Sequence, residues 1–351
     1  MCPYCDFAVE LGDPPHERYR DAVLGEFDTR AAGYSGTLAS IYLGGGTPSL
    51  WDPACISQVI AHVTRRFGAP REVTIEANPT DITRGALDAW HDAGINRLSI
   101  GVQSFSPDEL VTLGRDHRFG DGAEAIELAC ADGRFCVSAD FILGVPTAKR
   151  ESWLARVSAL PVDHLSIYEL TIEDRTQFGK RAREGKLIPL DEDTLTDLYT
   201  QTHDALVAAG FAHYEISSYG KRRAVHNSLY WQGAAYLGLG VGAASLRLDG
   251  GAVRSTNPRR ATDYFAGVAP EETPISDGEM AADRAWLGLR TSDGVTEESL
   301  APAVGVADWL VAESLAERRA GFICPTLRGF LYADRVAARV VQSWREGDTV
   351  T

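Results

Sequence analysis

The chain has 351 residues with 44% hydrophobic content, which suits a large α/β unit with a smaller second one. Its net charge is −15, with no cluster of Lys and Arg, which excludes a basic nucleic-acid-binding surface as an expectation, since such binding rests on neutralising phosphates. No apolar run has the length of a transmembrane segment and the start lacks a charged-then-apolar leader, so a cytoplasmic protein is expected.

The chain opens on Cys2-Pro3-Tyr4-Cys5-Asp6-Phe7. Two thiolates at this spacing can bind iron or zinc, or form a redox pair. No second C-x-x-C exists to complete a zinc site, and Cys55, Cys130, Cys136 and Cys324 read as scattered buried thiols. From Ala39 to about Glu169, strands are predicted at Ser40–Leu43, Glu72–Glu76, Arg97–Gly101, Val137–Ile142 and His164–Tyr168. Helices are predicted between them at Ala54–Arg66, Thr83–Asp92, Ala123–Ala131 and Glu151–Ala159. The strand runs read as nearly continuous in apolar and β-branched residues, as for strands buried on both faces. Such repeated strand–helix units imply a parallel sheet or barrel. After Thr171 the rhythm changes. Helices are expected at Gln177–Glu184 and Asp193–Ala209, followed by His213–Tyr219, His226–Trp231 and the glycine-rich run Gly238–Gly242. The end reads as helices at Asp277–Arg290, Ala307–Arg319 and Gly329–Trp344, with a short strand at Phe322–Pro325. The expected division is 1–175 as a barrel core, 176–276 as barrel completion and 277–351 as a helical, winged-helix-like module.

Polar residues gather where the strands end. Gly44-Gly45-Gly46-Thr47-Pro48 follows the first strand, and its glycines either let backbone approach a ligand or make a simple turn. No Gly-Lys-Ser/Thr follows, so this is not a P-loop. Glu76, Gln103 and Asp140 close or follow later strands. That edge carries the active site in a (β/α) barrel and the ligand in an open doubly wound sheet. His226-Asn227-Ser228-Leu229-Tyr230-Trp231 sets an imidazole, an amide and two large aromatics within six residues. Taken alone it is either a core histidine with packed aromatics or a site for a flat ligand held through iron.

As a set, these segments resemble the radical-SAM family, in the branch that holds oxygen-independent coproporphyrinogen III oxidases and HemW haem chaperones. The resemblance runs from Cys2 to the last helix. It implies an α/β fold, a partial (β/α)6-type barrel lacking its first strand, with a smaller, mainly helical C-terminal domain. The family's C-x-x-x-C-x-x-C motif holds three irons of a [4Fe-4S] cluster, and Cys2 and Cys5 match its second and third cysteines. Gly45, Gly46, Thr47, Glu76, Gln103, Arg115 and Asp140 match positions that contact S-adenosylmethionine (SAM). Arg115 stands in Leu113-Gly114-Arg115-Asp116-His117. The oxidases carry a further cysteine where this chain has Phe7, and the H-N-x-x-Y-W motif of His226, Asn227, Tyr230 and Trp231 resembles that of the haem chaperones. The resemblance therefore implies a haem-binding protein, with His226 as axial ligand, that passes haem to acceptor proteins. An oxidase acting on a porphyrinogen is the alternative. A homodimer is among the assemblies the resemblance allows. The first cysteine of the motif would lie two residues before Met1. Either the natural protein begins further upstream and is complete, which is the expectation, or the chain is a degenerate homologue without a normal cluster.

Overall fold

The computed structural model describes residues 2–9, 12, 14–115, 121–147 and 153–348, with side chains to residue 345. Met1, Asp116, His117 and the start of the expected helix at Glu151 lie outside them.

Helix α1 (His16–Arg30), which the sequence reading left unassigned, precedes β1 (Ser40–Leu43). Helix α2 (Pro53–Phe67) starts where the Asp52 carboxylate accepts the Ala54 N–H and Pro53 presets φ. It packs Val59 and Val63 against Val23 and Phe27 of α1. Next come β2 (Glu72–Ala77), α3 (Arg84–Asp92), β3 (Arg97–Gln103), α4 (Pro107–Thr112), α5 (Asp121–Asp132), β4 (Cys136–Leu143), α6 (Leu154–Ser158) and β5 (His164–Glu169). Strands β1 to β5 are parallel and adjacent in chain order, each joined to the next through helices on one side. Helices α7 (Gln177–Arg183) and α8 (Glu192–Ala208) lead to β6 (Ala212–Glu215) and β7 (Ser218–Gly220). The resulting seven-stranded sheet has the order β1-β2-β3-β4-β5-β7-β6, with β7 antiparallel to β5, and it curls into a half-barrel.

One expectation needs correction. The strands are not apolar on both faces. Ile41 and Leu43, Val73 and Ile75, Leu98 and Ile100, Val137 and Ala139, and Leu165 and Ile167 share the face covered by helices. Their alternates form a polar face: Ser40 and Tyr42, Glu72 and Glu76, Arg97 and Ser99, Ser138 and Asp140, His164 and Ser166. Registry carries this polar row across the sheet, through Ser40 with Glu72, Glu76 with Ser99, Ser99 with Ser138, and Asp140 with Ser166. Side chains of a strand alternate between faces, so the pattern marks an inner surface built for polar contents.

Helix α9 (Val225–Trp231) lies against this polar face at β1 and β2. A separate antiparallel sheet follows, from β8 (Ala244–Arg247) and β9 (Val253–Thr256), then α10 (Ala261–Phe265) and β10 (Glu271–Pro274). The sequence reading did not foresee it. Arg30 ties it to α1: its guanidinium donates to Glu26 (2.5 Å), Asn257 (3.1 Å), Ser245 (2.9 Å) and Ser255 (2.8 Å). The C-terminal part holds α11 (Asp277–Gly288), β11 (Val295–Thr296), α12 (Val306–Ala312), β12 (Ala316–Arg319), β13 (Phe322–Pro325), α13 (Leu327–Leu331) and α14 (Ala333–Asp348). Its helices enclose a core of Leu289, Leu310, Ile323, Val340 and Trp344 beside a three-stranded sheet of order β11-β13-β12. The end of the helix expected over Ala307–Arg319 is β12, because Ala316–Arg319 pairs with β13 across the turn at Ala320 and Gly321.

Candidate cofactor edge and histidine motif

The glycine loop leaves the C-terminal end of β1 with φ of +83° at Gly45 and +58° at Gly46, a conformation that costs little only without a Cβ. Nothing lies within 4 Å of where a Cβ on Gly45 would stand, so the loop is open to a ligand at this residue. Its N–H donates to Glu76 Oε2 at 3.0 Å, and the other carboxylate oxygen accepts from the Tyr42 hydroxyl at 2.8 Å. Burial raises the Glu76 carboxyl above its ordinary range, against the lowering effect of these two donors. Thr47 continues the loop, and its carbonyl closes the turn into the next residues by accepting the Leu50 N–H at 3.1 Å.

At the next strand end, Gln103 is buried and holds φ of +68°, unusual for a residue with a side chain. Its amide nitrogen lies 2.7 Å from where a Cβ on Gly101 would stand, which explains the glycine two residues earlier. Arg115 reaches the same edge, donating to Asn78 Oδ1 at 2.9 Å and to the Tyr4 hydroxyl at 3.0 Å. Its buried Nε has no hydrogen-bond partner among the described residues, a donor left over for a ligand. Tyr4 stands between the two cysteines, and burial pushes its phenol up to about 12. The loop itself turns on a Cys5 N–H to Cys2 carbonyl bond of 3.3 Å. Asp140 accepts from Ser99 (2.8 Å) and Ser138 (3.3 Å) and bonds Ser166; burial still raises its carboxyl. Asp140 is thus largely satisfied within the sheet, while Glu76, Gln103 and Arg115 share the strand-end edge.

The second cluster belongs to α9. No side chain of its own caps this helix; instead Glu72 of β2 accepts the N–H groups of Val225 and His226, each at 2.9 Å. That carboxylate at the helix start fixes His226 over β1. The imidazole stacks on Tyr42 at 4.8 Å between centroids and 28° between planes. Its Nδ1 meets Ser40 Oγ and its Nε2 meets Tyr230 hydroxyl, both at 3.0 Å. Burial pulls His226 down to about 4, so the ring is neutral near pH 7 and has a lone pair to offer. Trp231 ends the motif with a buried indole N–H that has no hydrogen-bond partner among the described residues, under the Arg290 guanidinium at 5.2 Å. Asn227 sits on the same helix, half-buried.

Sequence reasoning missed Tyr4, Tyr42, Asn78 and Glu72. Tyr42 and Glu72 had one signal, their two-residue spacing from Ser40 and from Thr74 and Glu76 on the polar face. The cofactors implied by the motifs fit unequally. The glycine edge and the free Arg115 Nε suit a polar ligand such as SAM. Among the described residues, no three of His, Cys, Asp and Glu gather into a set that could hold a metal ion. Cys2 and Cys5 offer two thiolates, one fewer than the three-cysteine motif that the resemblance implies.

Comparison with known proteins agrees with this layout. The profile of the radical SAM superfamily matches residues 1–158. The heme chaperone HemW of Escherichia coli (strain K12) is 36% identical over 278 residues, which span 76% of this chain and 72% of its own. HemW of Mycobacterium tuberculosis is 32% identical, with 95% of this chain and 90% of the relative covered. A mouse mitochondrial protein, radical S-adenosyl methionine domain-containing protein 1, is 34% identical over 85% of this chain and 72% of its own. Among solved structures, the coproporphyrinogen III oxidase HemN of Escherichia coli superposes with a TM-score of 0.77 at 20% identity. The superposition covers 97% of this chain and 87% of that one, a likeness of fold. The sequence motifs, the half-barrel and these relatives converge: the chain belongs to the radical-SAM superfamily, in its HemW branch.

Proposed function

We propose that this protein binds haem through the His226 motif and passes it to acceptor proteins. The scaffold's glycine edge would hold SAM through Gly45, Gly46, Thr47, Glu76, Gln103, Arg115 and Asp140, and its Cys2–Cys5 loop would contribute to a [4Fe-4S] cluster. One observation carries the haem reading: the His226 imidazole is presented by a helix across a polar barrel face, with Asn227, Tyr230 and Trp231 on the same helix, and burial favours its neutral form. His226 would hold the haem iron through a ring nitrogen, and Tyr230, whose hydroxyl meets Nε2 at 3.0 Å, would release that contact if Nε2 were the ligand. The HemW relatives carry the name of this activity. The same reading divides the chain into a barrel core at 1–175, barrel completion at 176–276 and a winged-helix-like module at 277–351, and places the protein in the cytoplasm. No helix among the described residues is long and apolar enough to cross a membrane.

Haem titration of wild type and His226→Ala, followed in the Soret band, tests this. The account expects a shifted band and at least about tenfold weaker binding in the variant, about 1.4 kcal/mol. Superimposable spectra and affinities remove His226 from the role. The second reading, a porphyrinogen oxidase, is favoured by the HemN-like fold and opposed by Phe7 at the position of that branch's further cysteine. Anaerobic assay for coproporphyrinogen decarboxylation separates the two.

A further inference from the structure

The strand-end edge and the histidine motif are joined by one side chain. Tyr42 donates its hydroxyl to Glu76 Oε1 at 2.8 Å, and Glu76 in turn holds the Gly45 N–H. The opposite contact of the same residue is its ring, stacked on His226 at 4.8 Å. The packing around it is tight: a Cβ on Gly44 would stand 2.6 Å from the Tyr42 ring and 3.1 Å from Glu76 Oε1. Gly44 therefore admits the ring close under the loop, and Tyr42 cannot move without moving the loop, the carboxylate or the imidazole.

We propose that Tyr42 is a positioning residue that couples occupancy of the glycine edge to the haem affinity of the His226 motif. The inference rests on the function proposed above. A ligand that draws Glu76 or the Gly45 N–H to itself changes the acceptor offered to the Tyr42 hydroxyl, and the rigid ring transmits the shift to the imidazole it stacks on. Ser40 and Tyr230 hold the two ring nitrogens, so a displaced ring trades these hydrogen bonds against ligation. Binding linkage is reciprocal: if SAM changes haem affinity by a given factor, haem changes SAM affinity by the same factor. Among the described side chains that bond to or stack on His226, Tyr42 is the one that also bonds Glu76.

The test is a haem titration with and without saturating SAM, in wild type and in Tyr42→Phe, with SAM binding itself measured by equilibrium dialysis. Tyr42→Phe keeps the stacked ring and removes only the hydroxyl that meets Glu76. In wild type, SAM is expected to shift the haem dissociation constant at least about threefold, a modest coupling; in Tyr42→Phe the two titrations superimpose. A second readout needs neither haem nor the variant: SAM shifts the His226 ring resonance in the NMR spectrum of wild type. Haem binding that ignores SAM, or coupling retained in Tyr42→Phe, overturns the inference alone; a wild-type protein that does not bind SAM overturns the SAM part of the proposed function, and this inference with it. A wild type that binds no haem overturns the proposed function, and this inference with it.

Discussion

Replacing Glu72 by Gln tests how the histidine motif is held. The carboxylate accepts two backbone N–H groups at the start of α9, each at 2.9 Å, and stands 3.9 Å from the Arg97 guanidinium. Both side chains are almost entirely buried, with 10% of Glu72 and 5% of Arg97 exposed. An amide offers one acceptor oxygen in place of two, so one N–H loses its partner and meets an NH2 donor. An unsatisfied buried donor costs about 1–3 kcal/mol, and the other bond falls from charge-assisted to neutral strength, about 1 kcal/mol less. Arg97 also loses its nearest counter-charge. The sum is about 3 kcal/mol, which for a chain of this length lowers the melting temperature by about 4 °C. Urea unfolding of wild type, Glu72→Gln, Arg97→Met and the double variant gives the partition. If capping of α9 dominates, most of the loss persists in the Arg97→Met background; a Glu72→Gln protein within about 0.5 kcal/mol of wild type refutes the reasoning.

Three further outcomes follow from the same geometry. Burial pulls both His213 and His226 down to about 4. Their unfolded-state value is about 6.5, so as pH falls below that value the unfolded chain takes up protons first and stability drops until about pH 4. Each contributes a loss of up to about 2 kcal/mol between pH 7 and pH 5. Denaturant midpoints should therefore fall less steeply with acid in His213→Asn than in wild type, and equal slopes would exclude His213 as a contributor. Arg30→Met removes the guanidinium that bonds Glu26, Asn257, Ser245 and Ser255, but Glu26 keeps donors from Asn257, Gly240 and Tyr264, so the loss of these part-buried bonds should cost about 1.5–3 kcal/mol by chemical denaturation. A loss below about 1 kcal/mol would make that network dispensable. For the haem reading, His226→Ala is the diagnostic variant, with the Soret change stated above as its outcome.

Much of the fold was legible because each strand of the half-barrel is short and bounded by glycine or polar residues. Ser40–Leu43 was placed as observed, and the ends of β2 to β5 shifted by only one or two residues. What failed was the reading of the faces. The runs SIYL, EVTIEA and HLSIYE alternate polar and apolar residues, and the alternation, rather than overall apolarity, carried the information that the inner face is polar. The sheet of β8 to β10 stayed hidden because its strands are four residues each and are held by contacts over long sequence separations, such as Arg30 to Ser255. Within the site, Glu76, Gln103 and Arg115 were recognisable from motifs, but their environments were not. The Gln103 side chain fills the space that a Cβ on Gly101 would need, and the partners of Arg115 come from a residue 37 positions away and one 111 positions away. The His226 cage is likewise tertiary: Ser40 lies 186 residues before it, and Glu72, which sets the helix, lies 154 before it. Local patterning names such residues; only the sheet brings them together.

Holding haem is half of the central claim, and release to another protein is the other half. The direct measurement is anaerobic mixing of the haem-loaded protein with an apo haem protein, such as apomyoglobin, while the visible spectrum is followed. The account predicts that the spectrum of the acceptor grows as that of the donor disappears, and that a donor carrying His226→Ala takes up too little haem to support the transfer. Haem that stays on the donor at excess acceptor, or transfer that is the same with and without His226, would contradict it.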